Sequence, residues 1–136
     1  ERQSYFHFAD WHCSFSEDVP GVRLIKRLSL KYRGSETRDG GYINGFLDAS
    51  LLEEAIKRAL DEEGWPITGA KIKKQIDLLK LSSDDIMGLT YEEDFTKWDN
   101  CRRGCMWARI GKFEGGKLVY LDPVWRKVHD NVHGYQ

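Results

Sequence analysis

The sequence predicts an α/β chain with three main helices and a C-terminal β-hairpin, and three observations support this class. Apolar residues recur at helical spacing in three segments of the chain. Short runs rich in aromatic and β-branched residues lie near both ends. A glycine pair separates the last two of these runs, as in a hairpin turn.

The first predicted elements are a strand and two helices. Residues 5–8 form an aromatic run that predicts a strand. Pro20 suits the first turn of a helix because it has no amide proton to lose, and the helical spacing of apolar residues then continues to Gly34. A second, longer helix is predicted over residues 43–63, and Gly64 ends it.

A third helix and a hairpin complete the prediction. Thr68 is a good N-cap for a helix that carries apolar residues at helical spacing up to Leu79. The segment from residue 82 to residue 100 is polar or aperiodic and is interpreted as turn and loop. Two runs, 106–110 and 117–121, then predict a β-hairpin, and a polar tail occupies residues 123–136.

Composition limits the function classes. The chain has 136 residues, of which 40% are hydrophobic, which is enough for one domain with a packed core. Its 21 Lys and Arg residues nearly balance its 22 Asp and Glu residues, so no basic field would attract nucleic acid or anionic lipid. The sequence contains no apolar run of the roughly 18 residues that a membrane-spanning helix needs.

Five short motifs follow one another in an informative order. They are Asp18-Val19-Pro20-Gly21, Tyr42-Ile43-Asn44-Gly45, Glu54-Ala55-Ile56-Lys57-Arg58-Ala59, Ile67-Thr68-Gly69 and Gly88-Leu89-Thr90. In this order and spacing the chain resembles, from Tyr5 to Trp125, the last part of the type I periplasmic binding proteins of ABC transporters, the family of the branched-chain amino-acid receptors. The resemblance implies that residues 1–136 form the C-terminal portion of a two-lobed fold with Rossmann-like lobes and contribute to both.

The resemblance also implies a function. A protein of this kind captures a small ligand, such as an amino acid or a similar small organic acid or amide, for an ABC importer. Its partners would be the ligand, the remaining N-terminal part of the binding protein and the membrane permease, with no cofactor and no reaction. Its location would be periplasmic or extracellular, with or without a lipoprotein anchor. The alternative is a ligand-sensing module of the same fold in a receptor or regulator.

The candidate ligand-binding residues are Gly41, Tyr42 and Asn44. A glycine-rich segment directly before a helix leaves free amide protons beside an aromatic ring, which suits a small polar ligand. From the residues alone, an ordinary helix start with Tyr42 as a packing residue is the favoured interpretation. The resemblance makes ligand binding about equally open, since this turn borders the cleft between the lobes in similar proteins.

Other chemistry-bearing residues form weaker patterns. Cys13 beside His12 cannot share a proton with it on a strand, because adjacent side chains point to opposite faces. His129 and His133 have helical ligand spacing but no third ligand. Residues 92–94 are three adjacent acids, which we interpret as a solvated patch in a turn. Cys101 and Cys105 are a candidate disulfide in an oxidising compartment, and three unrelated thiols are the alternative.

Overall fold

The computed structural model describes residues 7–36, 40–96, 107–115 and 117–127. Within these ranges the chain forms three helices and six short strands. In chain order they are β1 (His7–Asp10), α1 (Pro20–Arg33), α2 (Gly40–Glu63), α3 (Gly69–Asp77), β2 (Lys80–Ser82), β3 (Glu92–Asp94), β4 (Trp107–Glu114), β5 (Lys117–Tyr120) and β6 (Arg126–Lys127).

The helix boundaries follow the predicted signals closely. Helix α1 begins at Pro20 and ends before Gly34, which adopts a left-handed conformation (φ 67°) and donates its amide proton to the carbonyl of Leu30. Helix α3 is capped by Thr68, whose side-chain oxygen accepts a hydrogen bond from the amide of Lys71 at 3.3 Å. Both predictions are confirmed.

Helix α2 begins at Gly40, three residues before its predicted start. Glycine in a helix costs about 1 kcal/mol relative to alanine, so the glycine pair alone would favour a loop. Ile43 and Leu47, however, are fully buried in the core, and their burial holds the first turns of the helix in place. Tertiary packing therefore outweighs local propensity at this end.

An antiparallel sheet joins the two ends of the chain. Strand β4 lies between β1 and β5, with His7 opposite Lys112 and Gly111 opposite Tyr120, and β6 also pairs with β4. The predicted β4–β5 hairpin is confirmed, with Gly115 at a positive φ of 58° in its turn. The N-terminal strand β1 therefore pairs with a strand, β4, that lies about a hundred residues later in the chain.

The structure contains a second, two-stranded sheet in a segment where the sequence predicts no strand. Strands β2 and β3 are antiparallel, and Glu93 lies opposite Leu81. The interpretation of residues 92–94 as a solvated patch in a turn is wrong, since Glu93 and Asp94 are buried within strand β3. Strands of three residues are too short to show an alternating pattern, and pairing with β2 imposes the extended conformation instead.

The hydrophobic core lies between α1, α2 and the segment from β2 to Leu89. Its buried members are Cys13, Val22, Ile25, Ile43, Leu47, Leu79, Leu81, Ile86 and Leu89. The N-terminus of α1 reaches this segment closely, and the amide of Gly21 donates a hydrogen bond of 2.8 Å to the carbonyl of Met87. A Cβ atom at Gly21 would lie 2.5 Å from the Cγ atom of Leu89, so only glycine fits there.

The described strands and helices form two units, which we name by the elements that they contain. The sheet unit contains β1, β4, β5 and β6, and the helical unit contains α1, α2, α3, β2 and β3. The chain passes from the sheet unit to the helical unit through residues 11–19, which we call the first crossing. These residues lie close to the segment just before β3, since the amide of Cys13 donates to the carbonyl of Leu89 at 2.7 Å. We call this region the junction.

Candidate functional site

The predicted ligand-binding segment lies at the N-terminus of helix α2. The amides of the first residues of a helix have no partner inside it, so Gly40 and Gly41 can offer donors at this end. Gly41 is exposed. The positive end of the helix dipole adds a preference for a negatively charged group. These are the features that a carboxylate-bearing ligand could use.

The two side chains predicted to bind the ligand leave the helix on different sides. Tyr42 is half-buried and packs against the hydrophobic core. Asn44 follows two residues later, and residues two apart do not face each other on a helix. Gly41 and Asn44, three residues apart, do share one face. The structure thus brings Gly41 and Asn44 together and separates Tyr42 from them.

The structure shows one feature of Asn44 that the sequence does not reveal. Its side-chain oxygen, Oδ1, is buried and has no hydrogen-bond partner in the described part of the chain. A buried acceptor without a donor costs about 1–3 kcal/mol. An amide or ammonium group of a ligand could supply the missing donor.

His12 was not predicted as part of this site, yet it lies directly against it. The His12 ring is close to Gly40, so that a Cβ atom at Gly40 would be 3.3 Å from the ring carbon Cε1. Nδ1 of His12 donates to the carbonyl of Cys13 at 2.7 Å, which fixes the ring, and Trp11 packs against its edge. No local pattern indicates that residue 12 contacts residue 40, so the sequence could not reveal this neighbour.

The junction beside this site is held by a buried ion pair. Nη1 and Nη2 of Arg109 in β4 donate to the two carboxylate oxygens of Glu17 at 2.6 and 2.8 Å. The guanidinium carbon of Arg109 lies 3.8 Å from the ring centroid of Tyr120 and 4.1 Å from that of Trp125. Two aromatic faces and a paired carboxylate together form a tightly constrained environment for one cation.

The electrostatics of Arg109 agree with this geometry. Burial acts to lower the pKa of its guanidinium, but the hydrogen bonds that it donates to Glu17 and the charges of its neighbours raise the pKa overall. The carboxylate of Glu17 also accepts a hydrogen bond from the amide of Ser14 at 2.5 Å. The pair therefore ties the first crossing of the chain to the sheet unit just before α1 begins.

Further contacts join the helical unit and residues 11–19 to the sheet unit. Nε1 of Trp107 in β4 donates to Oε1 of Glu92 in β3 at 2.8 Å. The ring of Tyr91 packs on the ring of Trp107, with their centroids 4.1 Å apart. The hydroxyl of Tyr120 further donates to the carbonyl of His12 at 3.1 Å. The site at the start of α2 consequently lies beside the region where the two units meet.

A cleft of about 330 Å³ is found elsewhere, between α2 and the turn that follows β2. Its helical wall consists of two ion pairs at i,i+4 spacing, Lys57 with Glu53 and Arg58 with Glu54. Such pairs are typical of a solvated helix face. The cleft contains none of the predicted site residues, and the charged side chains of its helical wall pair with one another.

The remaining candidates do not form a reactive centre in the described part of the chain. Cys13 is buried in the core and unbridged. The metal-ligand candidates His129 and His133 and the disulfide candidates Cys101 and Cys105 lie outside the described residues. Within the described ranges, no group of three or more His, Cys, Asp or Glu side chains could hold a metal ion.

The fold defines a class of protein. The described helices and antiparallel sheets form a portion of the type I periplasmic binding protein fold, and the resemblance seen in the sequence is confirmed by comparison with solved structures. The chain is similar to a branched chain amino acid ABC transporter from Thermus thermophilus, solved with bound valine.

The similarity has definite limits. It has a TM-score of 0.68 and 28% sequence identity, and it covers 86% of this chain but 32% of the other. The chain therefore spans about a third of the length of the structure that it resembles. No family model and no curated protein matches it. Among the described helices, none combines the length and the apolar character required to cross a membrane.

Proposed function

We propose that this chain is the C-terminal part of an extracytoplasmic solute-binding protein that captures an amino acid, or a similar small organic acid or amide, for an ABC importer. The observation that carries the proposal is the similarity of most of the chain to a branched chain amino acid ABC transporter with bound valine. Solute capture requires no reaction and no cofactor, and it implies a periplasmic or extracellular location and a membrane permease as partner.

The surface of α2 supports the proposal that another part of the polypeptide packs against this helix. The helix buries Ile43, Leu47, Ala55 and Ala59, yet Leu52 and Leu60 are 46% and 42% exposed. Large apolar side chains that stay exposed on a helix are expected to be covered by another element. In the proposed protein the remaining, N-terminal part of the polypeptide covers Leu52 and Leu60 and supplies the other wall of the ligand pocket.

The two units give the proposal a mechanism. In a two-lobed receptor, a ligand that contacts both lobes shifts the population from open to closed states. The start of α2 lies beside the junction, where such a closure would bring the units together. In this proposal the amide of Gly41 binds the ligand carboxylate, and Asn44 accepts a hydrogen bond from its nitrogen. Tyr42 contributes an aromatic wall at the same turn.

Asn44→Ala in the complete polypeptide tests the site. Because Oδ1 of Asn44 has no partner in the described chain, its removal should leave thermal stability unchanged or slightly higher. Loss of one ligand hydrogen bond should weaken ligand affinity roughly 3- to 10-fold. Gly45→Ala is the matched control, because nothing in the described chain lies within 4 Å of a Cβ atom there. Equal affinity in both variants, measured by calorimetric titration with L-valine and other free amino acids, would exclude Asn44 from the site.

A further inference from the structure

Glu93 is a buried carboxyl group whose surroundings do not compensate a charge. It lies in strand β3 with 2% of its surface exposed, opposite the apolar residue Leu81. Its Oε1 atom is buried and has no hydrogen-bond partner in the described ranges. An ionised carboxylate in such a position loses its hydration without gaining a partner, so the neutral acid is favoured there.

The charged groups around Glu93 strengthen this preference. Helix α2 presents Asp48, a second carboxylate near enough to repel a charge on Glu93, and burial followed by this repulsion raises the pKa of Glu93 to about 7. Strand β2 offers one cation, Lys80, but its ammonium group lies 3.5 Å from Asp94. Glu92, in strand β3 beside Glu93, accepts a hydrogen bond from the indole nitrogen of Trp107. Burial therefore acts together with a like charge, with no cation directed at Glu93 among the described residues.

Strand β3 connects the two units through alternate side chains. Successive residues of a strand point to opposite faces, so Glu93 is directed toward α2 while Glu92 reaches Trp107 in β4. Tyr91, one residue earlier, packs on the same Trp107 ring. Any movement of β3 relative to α2 must therefore shift the contact between the helical unit and the sheet unit.

We propose that Glu93 is a proton-binding switch: the protonated side chain seats β3 against α2, and loss of the proton loosens that contact and, through Glu92 and Trp107, the attachment of the sheet unit. The switch senses the pH of the compartment around the protein. It depends on the packing of these elements and not on the solute, so it stands independently of the proposed transport function.

The sign of the pH effect follows from linkage. A carboxyl group whose pKa rises from 4.5 in the unfolded chain to about 7 in the folded chain binds its proton more tightly when folded. Stability is then highest at low pH, falls as pH rises from about 4.5, and levels off above about 7. These two pKa values predict a roughly tenfold fall in the folding equilibrium constant between about pH 6 and about pH 8.

The test compares the wild-type chain with Glu93→Gln, which keeps the shape and removes the charge. Urea unfolding should show the tenfold fall for wild type and a flat profile for Glu93→Gln over the same pH interval. Asp48→Asn should lower the titration midpoint without abolishing it, since burial remains. Asp61→Asn, at an exposed position on α2, is the control and should keep the wild-type profile.

Two NMR signals report the switch directly. The carboxyl carbon of Glu93 should titrate with a midpoint near neutrality, and the indole N–H signal of Trp107 should shift with the same midpoint in wild type and Asp61→Asn. The Trp107 shift should disappear in Glu93→Gln. A Glu93 midpoint below about 5, close to its ordinary value, would overturn the proposal. An indole titration that persists unchanged in Glu93→Gln would overturn the coupling to the sheet unit.

Discussion

The buried ion pair between Arg109 and Glu17 gives the sharpest test of how the junction is held. Glu17→Gln removes the negative charge while keeping the size of the side chain. Arg109 is 5% exposed and would remain buried between two aromatic rings without a counter-charge. Removing one partner of a fully buried pair costs about 3–5 kcal/mol. Glu17 is 24% exposed, so partial hydration reduces the expected loss to about 2–3 kcal/mol.

The neighbouring residue supplies a matched control. Asp18 pairs with Arg23 at 2.7 Å, but their side chains are 85% and 57% exposed. Such surface pairs contribute about 0–1 kcal/mol, so Asp18→Asn should have little effect on stability. The two substitutions therefore differ in burial and not in chemistry.

Urea unfolding at neutral pH, at low and high salt, measures both free energies. The loss in Glu17→Gln should be nearly independent of salt, because a buried pair is poorly screened. Arg109→Met combined with Glu17→Gln should recover part of the loss, since no unpaired charge stays buried. A loss of stability in Glu17→Gln as small as that in Asp18→Asn would contradict a stabilising role for the buried pair. A double variant less stable than Glu17→Gln alone would contradict it as well.

Two further predictions concern single positions. Gly21→Ala should cost about 1–3 kcal/mol in thermal or urea unfolding, because its Cβ atom would lie 2.5 Å from buried Leu89, whereas Gly45→Ala on α2 should be neutral or stabilising. Equal stabilities would contradict this packing. Tyr42→Ala should weaken ligand binding far more than folding if Tyr42 forms part of the pocket, measured by calorimetric titration beside thermal melts. Unchanged affinity with a loss of roughly 3–5 kcal/mol of stability would assign Tyr42 to packing alone.

Elements with strong local signals were predictable from the sequence. Pro20 and Gly34 delimit α1, Thr68 caps α3, and the glycine turn closes the β4–β5 hairpin. Each signal acts within a few residues, where backbone conformation and one hydrogen bond decide the outcome. The fold class was predictable because these elements occur in an informative order.

Features that depend on distant contacts were not predictable. The pairing of β2 with β3 and the burial of Glu93 depend on neighbours elsewhere in the chain. The same holds for the site, where His12 approaches Gly40 and the side chain of Asn44 is buried without a partner. The sequence predicted a turn for a candidate site, but the faces on which its residues lie required the structure.

We propose that this chain belongs to a receptor that closes around a small solute. The most direct test of this proposal is small-angle X-ray scattering of the complete polypeptide, recorded with and without each of the common amino acids and their amides. We expect at least one of these compounds to bind saturably at a single site and to reduce the radius of gyration as the lobes close. A folded polypeptide that binds none of these compounds and keeps the same scattering profile throughout would contradict it.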